Sequence, residues 1–432
     1  MDNLKVKGGK KLSGIITPSG NKNAALPSIC ATILTDETIT LHNIPNTQDI
    51  EKLIESLKTF GSNILWNKKN CKLKINNKNL KLPKSGKAFP LGMRGSLLLL
   101  GPLVARFKNI NFLTSVGGCT LGIRELDPHL EILKALGAKV TRKGDTLKIS
   151  TGNGLRGGKY WFDYMCVTAT ENFLMAAALS KGKSVLMNAA SEPHVRDLAN
   201  LLTLMGAKIS GTGTSRLEVT GVPRLKGCKF TIGADHHEAT TFLALGAMTG
   251  GDIEVKNCTV SDYDLIIRSF EKLGVKVKPK NTSLVISGPQ KMIIKNPYTT
   301  NMLPKIEASP WPYFPVDLLP LMMALSVKSK GQIMFWNKMY EGGFLWVPEL
   351  VKFGVKLSLS DPHRVIIWGG MPLEPTTVNA PNIIRVAIAL FMVAATIKGE
   401  SIVTNAGSIK RAHPNFVKNL RSLGADVSWI TG

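Results

Sequence analysis

Residues 115–127, SVGGCTLGIRELD, set a thiol, Cys119, directly behind Gly117 and Gly118 and just ahead of Arg124, Glu125 and Asp127. Paired glycines permit backbone conformations and close approaches closed to other residues, which suits a lid. A cation such as Arg124 or Lys22 aimed at Cys119 would favour the thiolate, the form that reacts. The competing reading is a small buried apolar residue, the usual state of an intracellular cysteine. Lys22 itself stands in SGNKNAALP, a turn leading into an apolar helical run. There a point charge meets the free N–H groups of a helix start, a combination that holds phosphate or carboxylate.

Three more charged residues border apolar helices. Asp317, in WPYFPVDLLP, suits either an N-cap or a general base, and the pattern leaves both open. Arg385, in NIIRVAIALF, runs straight into apolar sequence and needs an anionic partner if buried, while Arg411 sits in SIKRAHPNF. DHHEATTF (235–242) offers adjacent histidines without the i, i+4 spacing of a helical metal site, so no metal is expected. SGTGTSR (210–216) lacks the third glycine of a dinucleotide loop and reads as a hairpin turn.

The composition narrows the class. A chain of 432 residues, 44% hydrophobic and 20% charged, suggests a folded protein of two or three domains. Its charged first residues, MDNLKVKGGKKLSG, lack a signal-peptide core, and its apolar runs are about half a bilayer span, so a cytoplasmic protein without membrane attachment is expected. Six cysteines without paired spacing favour a reducing compartment. The net charge of +25 attracts phosphates of any kind. Because the Lys and Arg residues are dispersed, with neither a basic tail nor a basic-aromatic strand motif, nucleic acid is not the expected partner.

The elements that must position these residues recur. LIESLKTFGSNI, LEILKALGAKV, LANLLTLMGAKI, LIIRSFEKLGVKV, VPELVKFGVKL and VKNLRSLGADV each end a helical pattern at a glycine, about 70 residues apart. The glycines, Gly61, Gly137, Gly206, Gly274, Gly354 and Gly424, fit the helix C-cap, where φ is positive. β-type runs such as TITLHNIP, SVLMNAAS, DIEVKNCT, QIMFWNK and SIVTNAGS precede most of them. An α/β protein of six strand–helix–strand units, three per domain, is expected, with substrates between the domains.

In these motifs the chain resembles the enolpyruvyl transferases, most closely the UDP-N-acetylglucosamine 1-carboxyvinyltransferase branch. The similarity runs from GGKKLSG and SGNKNAALP through MRGS (93–96), PLVAR, GGCTLGIRELDPH, MNAASEP and GAKISG to FPVD, VPEL and RSLGA. It implies a two-domain inside-out α/β barrel, one domain at 22–232 and the other at 1–21 plus 233–432, with the active site in the cleft. It implies transfer of the enolpyruvyl group of phosphoenolpyruvate to the 3-hydroxyl of UDP-N-acetylglucosamine, without cofactor or metal, by a protein expected to be monomeric.

Residue by residue, the resemblance makes Cys119 the loop cysteine that protonates the enol carbon or assists product release, and the target of fosfomycin. Lys22, Arg124 and Arg411 would clamp the donor, supported by Arg94 and Arg385. Asn23 and Asp317 would orient the acceptor hydroxyl, and Asp317 would take its proton. Leu126, Asp127 and His129 fall where the family packs the uridine, and Glu341 in its acceptor-sugar loop.

The chain departs from the family pattern at several positions. Tyr164, Cys166 and Thr168 in YMCVTAT replace a lysine, serine and glycine near the acceptor's diphosphate. Gly343 replaces an arginine, and Ile383 an aspartate. A paralogue using another nucleotide such as UMP, an inactive binding paralogue and a nucleic-acid-binding protein are the alternatives.

Overall fold

In the computed structural model, which describes residues 2–82, 94–113 and 125–431 (backbone alone at 94), the six repeat glycines all take positive φ. The values run from 79° at Gly274 to 106° at Gly206, the left-handed C-cap geometry the pattern requires. A second mark lies at the ends of the strands that precede the amphipathic helices. Asn43, Asn188, Asn257 and Asn405 end their strands at φ 59°, 58°, 58° and 55°, a region that asparagine tolerates better than most residues.

The chain divides into two compact units. One is nearly continuous, comprising the described residues between 20 and 233; the other is split, joining 2–19 to 234–431. Each contains three sheets and its own apolar core.

The sheets share one plan. Lys305–Ala308 runs parallel to Gly331–Asn337, which pairs antiparallel with Arg364–Gly369, and that strand pairs antiparallel with Lys356–Asp361. Four other sheets repeat this order, and the sixth shows three strands among the described residues. In each case the parallel strand is the last of one repeat, handed to the sheet of another. Lys229–Thr231 pairs with Ile39–His42, returning the third repeat to the first. Gly14–Ile16 likewise pairs with Ile253–Val255. The N-terminal strand Asp2–Gly8 lies between Gly399–Thr404 and Asp426–Thr431, so the start of the chain completes the final repeat.

Each repeat holds two helices where the sequence pattern marked one. The amphipathic helices before the glycines, such as Gln48–Thr59, bury only one face, here Ile50, Leu53, Ile54 and Leu57. The second set is buried over most of its length, polar residues included. It comprises Lys22–Ala31, Leu100–Phe107 and Val167–Ala177 in the continuous unit, and His236–Thr249, Leu319–Lys328 and Ile384–Thr396 in the split one. Helices therefore fill the interior of each unit while the strands alternate buried and exposed residues. Among the described residues no helix is long and apolar enough to cross a membrane.

Cys30, Cys71, Cys166, Cys228 and Cys258 are free thiols. Burial pushes the Cys30 thiol far up, with the Glu171 carboxyl adding to the effect, so it is an inert core residue. Glu171 is itself fully buried in Val167–Ala177. Burial, and secondarily the nearby Glu192, raise its pKa well above the ordinary carboxyl value. An acid whose pKa rises on folding stabilises the fold below its unfolded pKa and loses that contribution as pH climbs toward the folded value. Glu171→Gln should therefore raise the melting temperature more at pH 8 than at pH 5, by about 2–4 °C for each kcal/mol recovered in a unit of this size. Thermal unfolding of both proteins across that range measures the difference.

Candidate active site

In the split unit, polar groups gather at the starts of the three inner helices. Asp235 is the N-cap of His236–Thr249, its Oδ1 accepting from the backbone N–H groups of His237 at 2.8 Å and Glu238 at 3.4 Å. The same oxygen lies 3.0 Å from His237 Nδ1. His237 Nε2 is 3.9 Å from Asp317 Oδ2, and Asp235 Oδ2 is 3.9 Å from an Arg385 guanidinium nitrogen. Arg385 also donates to His413 Nε2. His413 Nδ1 is 3.8 Å from Glu238 Oε2, which accepts from Ser19 N and Oγ at 2.9 and 2.6 Å. Hydrogen bonds and separations of 3.8–3.9 Å thus link Asp317 to Ser19.

The anionic partner that Arg385 required is Asp235. Burial alone would raise the pKa of Asp235. The hydrogen bond from His237, with the positive charge of Arg385, outweighs burial and holds the carboxyl well below its usual range. Glu238 is likewise buried yet lowered, through His413 and Ser19.

Asp317 has a different position. It lies in the short 3-10 helix Val316–Leu318, and neither that helix nor Leu319–Lys328 receives a side-chain cap. The N-cap reading of Asp317 therefore fails. Its side chain is 45% exposed and lines a pocket with Tyr340, Gly343, Ile383 and Arg385. Ile383, where the family pattern has an aspartate, contributes an apolar wall. Gly343, where the pattern has an arginine, is pressed against Asn337: a Cβ there would sit 2.0 Å from Asn337 Nδ2. Asn337 Oδ1 in turn accepts from Met339 N and Tyr340 N. Glu341 is exposed in the same turn, and Arg411 ends the 3-10 helix Ala406–Arg411, two residues before His413.

In the continuous unit Lys22 opens its helix, as the turn signal implies, with Asn21 as N-cap accepting from Asn23 N at 2.8 Å. Lys22 Nζ lies 2.7 Å from Asp49 Oδ2, and both side chains are mostly buried. Asn23 is half-buried. Leu126 packs on the core, and Asp127 is exposed at the start of Asp127–Ala135.

His129, at the start of the same helix, is buried. It has no exposed surface; Thr168 Oγ1 is 3.2 Å from Nε2 and Asn172 Nδ2 2.9 Å from Nδ1. A ring held in this way braces Val167–Ala177 from within. Thr168, in place of a glycine, supplies one of the braces. Tyr164 donates to Glu125 Oε2 at 3.1 Å, and burial together with that carboxylate pushes its pKa up to about 12. Cys119, Arg124 and the side chain of Arg94 lie outside the described residues.

The network itself escaped the sequence reading. In the sequence, DHHE reads only as a metal motif. Asp235, His236 and His237 do bring donor atoms within 4.8 Å of one another, and the direct Asp235–His237 hydrogen bond accounts for that closeness. The available signal was Asp235 with Glu238 three residues on, the spacing of a helix start. Removing a buried charge that others lean on should cost about 3–5 kcal/mol, whereas a half-exposed group free of such bonds costs about 0.5 kcal/mol or less. Urea unfolding should therefore show Asp235→Ala strongly destabilised and Asp317→Ala close to wild type.

Comparison with known proteins agrees with this architecture. The EPSP synthase (3-phosphoshikimate 1-carboxyvinyltransferase) family model matches residues 6–420. A UDP-N-acetylglucosamine 1-carboxyvinyltransferase of Borreliella burgdorferi is 37% identical over 425 residues, 98% of each chain. That of Treponema pallidum is 34% identical over the full length of both. Among solved structures, the enolpyruvyl transferase NikO from Streptomyces tendae shares the fold with a TM-score of 0.85 at 19% identity, covering 100% of this chain and 99% of its own.

Proposed function

The chain belongs to the EPSP synthase (3-phosphoshikimate 1-carboxyvinyltransferase) family, and on that basis we propose that it transfers the enolpyruvyl group of phosphoenolpyruvate to the 3-hydroxyl of UDP-N-acetylglucosamine in the cytoplasm, releasing phosphate. The acceptor is the one named for its full-length relatives. The observation that carries the reading is Asp317: an uncapped, half-exposed carboxylate lining a pocket with a buried arginine.

In this reaction the acceptor oxygen bonds to the central carbon of the donor while a proton reaches the terminal carbon. Loss of that proton and of phosphate then restores the double bond. Asp317 removes the hydroxyl proton and Cys119 supplies the other, the division of labour that addition across a double bond needs. Asn23 helps to orient the hydroxyl. Lys22, Arg124 and Arg411, with Arg94 and Arg385 behind them, hold the anionic donor by charge-assisted hydrogen bonds. Leu126 and Asp127 serve the nucleoside end, and Glu341 the sugar. No cofactor or metal enters this reading.

A second reading, transfer to a different nucleotide such as UMP, is favoured by one local feature. Where the family pattern has a lysine for the diphosphate, Tyr164 donates to the Glu125 carboxylate, an acidic partner in place of the pattern's cation.

Purified protein given phosphoenolpyruvate and UDP-N-acetylglucosamine should release phosphate in an acceptor-dependent way, and Asp317→Ala should lower kcat by about 10²–10⁴-fold. A panel containing UMP and other UDP-sugars separates the two acceptors: turnover with UMP alone would move the specificity. Fosfomycin should inactivate the wild type and spare Cys119→Asp.

A further inference from the structure

DHHE belongs to neither the donor nor the acceptor residues above, yet its second histidine faces the proposed base. His237 Nδ1 is hydrogen-bonded to Asp235 and its Nε2 points toward Asp317. We propose that His237 is a positioning residue for the reaction: it receives from Asp317 the proton taken from the acceptor hydroxyl, and Asp235 holds it in the tautomer that can do so. The proposal rests on Asp317 acting as the base.

The geometry sets the tautomer. Asp235 is an acceptor, so the proton of a neutral His237 sits on Nδ1 and the lone pair on Nε2. Nε2 and the Asp317 carboxylate are then two acceptors with no proton between them, and they stand 3.9 Å apart, about 1 Å beyond a hydrogen bond. Once Asp317 has taken the hydroxyl proton it becomes a donor and the gap can close. The proton then crosses from Asp317 Oδ2 to Nε2, leaving Asp317 ionised and His237 an imidazolium between two carboxylates. The proton count balances, and no other reactant is consumed.

The surroundings favour this state. His237 is buried, with a side chain only 4% exposed, so water does not compete for Nε2 as it would at a surface. On its own helix it meets Asp235 and the His236 ring, whose centroid is 4.0 Å away, with Glu238 following. Trp311 packs edge-on against His236. From the neighbouring inner helices come Asp317 and, across Asp235, Arg385, with His413 beyond Arg385. Arg385 is tied to Asp235 and His413, leaving Asp317 as the group toward which Nε2 is directed.

The test compares His237→Gln, His237→Ala and Asp317→Ala with wild type, using phosphate release with the acceptor that the panel identifies. His237→Gln should lower kcat about 10- to 100-fold with both KM values within about twofold. The acidic limb of its kcat profile should move to lower pH, because a carboxylate titrates below an imidazole. Added imidazole should restore part of the activity of His237→Ala, which a packing role would not allow. If a variant does not fold, nitrogen NMR of the wild-type imidazole at pH 8 decides: an Nδ1–H tautomer supports the relay, and an Nε2–H tautomer overturns it. Wild-type kcat and an unmoved pH profile in His237→Gln, beside lost activity in Asp317→Ala, would overturn the relay and leave the base in place. Full activity in Asp317→Ala would overturn both.

Discussion

The split unit turns on one buried carboxylate. Asp235 caps the helix that fills the unit's interior, anchors His237 and faces Arg385. A carboxylate without water is costly unless its oxygens are met by donors and charge. Here backbone N–H groups, an imidazole and a guanidinium supply both, and the ion persists. Because one group serves a cap, a histidine and an arginine, the starts of three inner helices are held in a single polar network. Such networks gain from completeness, since each member polarises the next.

Asp317 stands at the open end of that network. Its neighbours are fixed by hydrogen bonds, whereas it carries no cap bond and faces the pocket. A base needs this asymmetry: a rigid environment that sets where it points, and a free oxygen for the proton it removes. The corresponding helix starts of the continuous unit carry a different set. Lys22 pairs with Asp49, and His129 is enclosed by Thr168 and Asn172. One repeat plan thus supports two electrostatic characters.

The departures from the family pattern are accommodated locally. Thr168 spends its hydroxyl on His129, Tyr164 on Glu125, and Gly343 leaves room for Asn337. In each case the replacement has a partner suited to it, which is the consistency expected of a folded, specific site. Replacing a lysine and an arginine by Tyr164 and Gly343 also makes these surroundings less basic, although the whole chain carries +25. The charge that matters to a bound anion is the charge within a few ångströms, because more distant exposed groups are screened.

Local chemistry made much of this legible in the sequence. The six glycines could be read because a helix end needs positive φ and glycine supplies it without strain. Lys22 at a helix start and the need of Arg385 for an anion followed from the same kind of reasoning. The inner helices were marked only at Lys22, Asp317 and Arg385, without a period to tie them to the repeat, and the left-handed asparagines that end the strands were missed.

Tertiary structure alone decided the long-range pairings. Asp2–Gly8 completes the sheet of the last repeat, and Gly14–Ile16 joins Ile253–Val255. Asp235 meets Arg385 from 150 positions away and His237 meets Asp317 from 80. By itself the sequence determined which residues could bear charge, cap a helix or turn a strand, since those are properties of a residue and its near neighbours. Which charges would face each other depended on how three repeats close on themselves, and no local pattern encodes that closure.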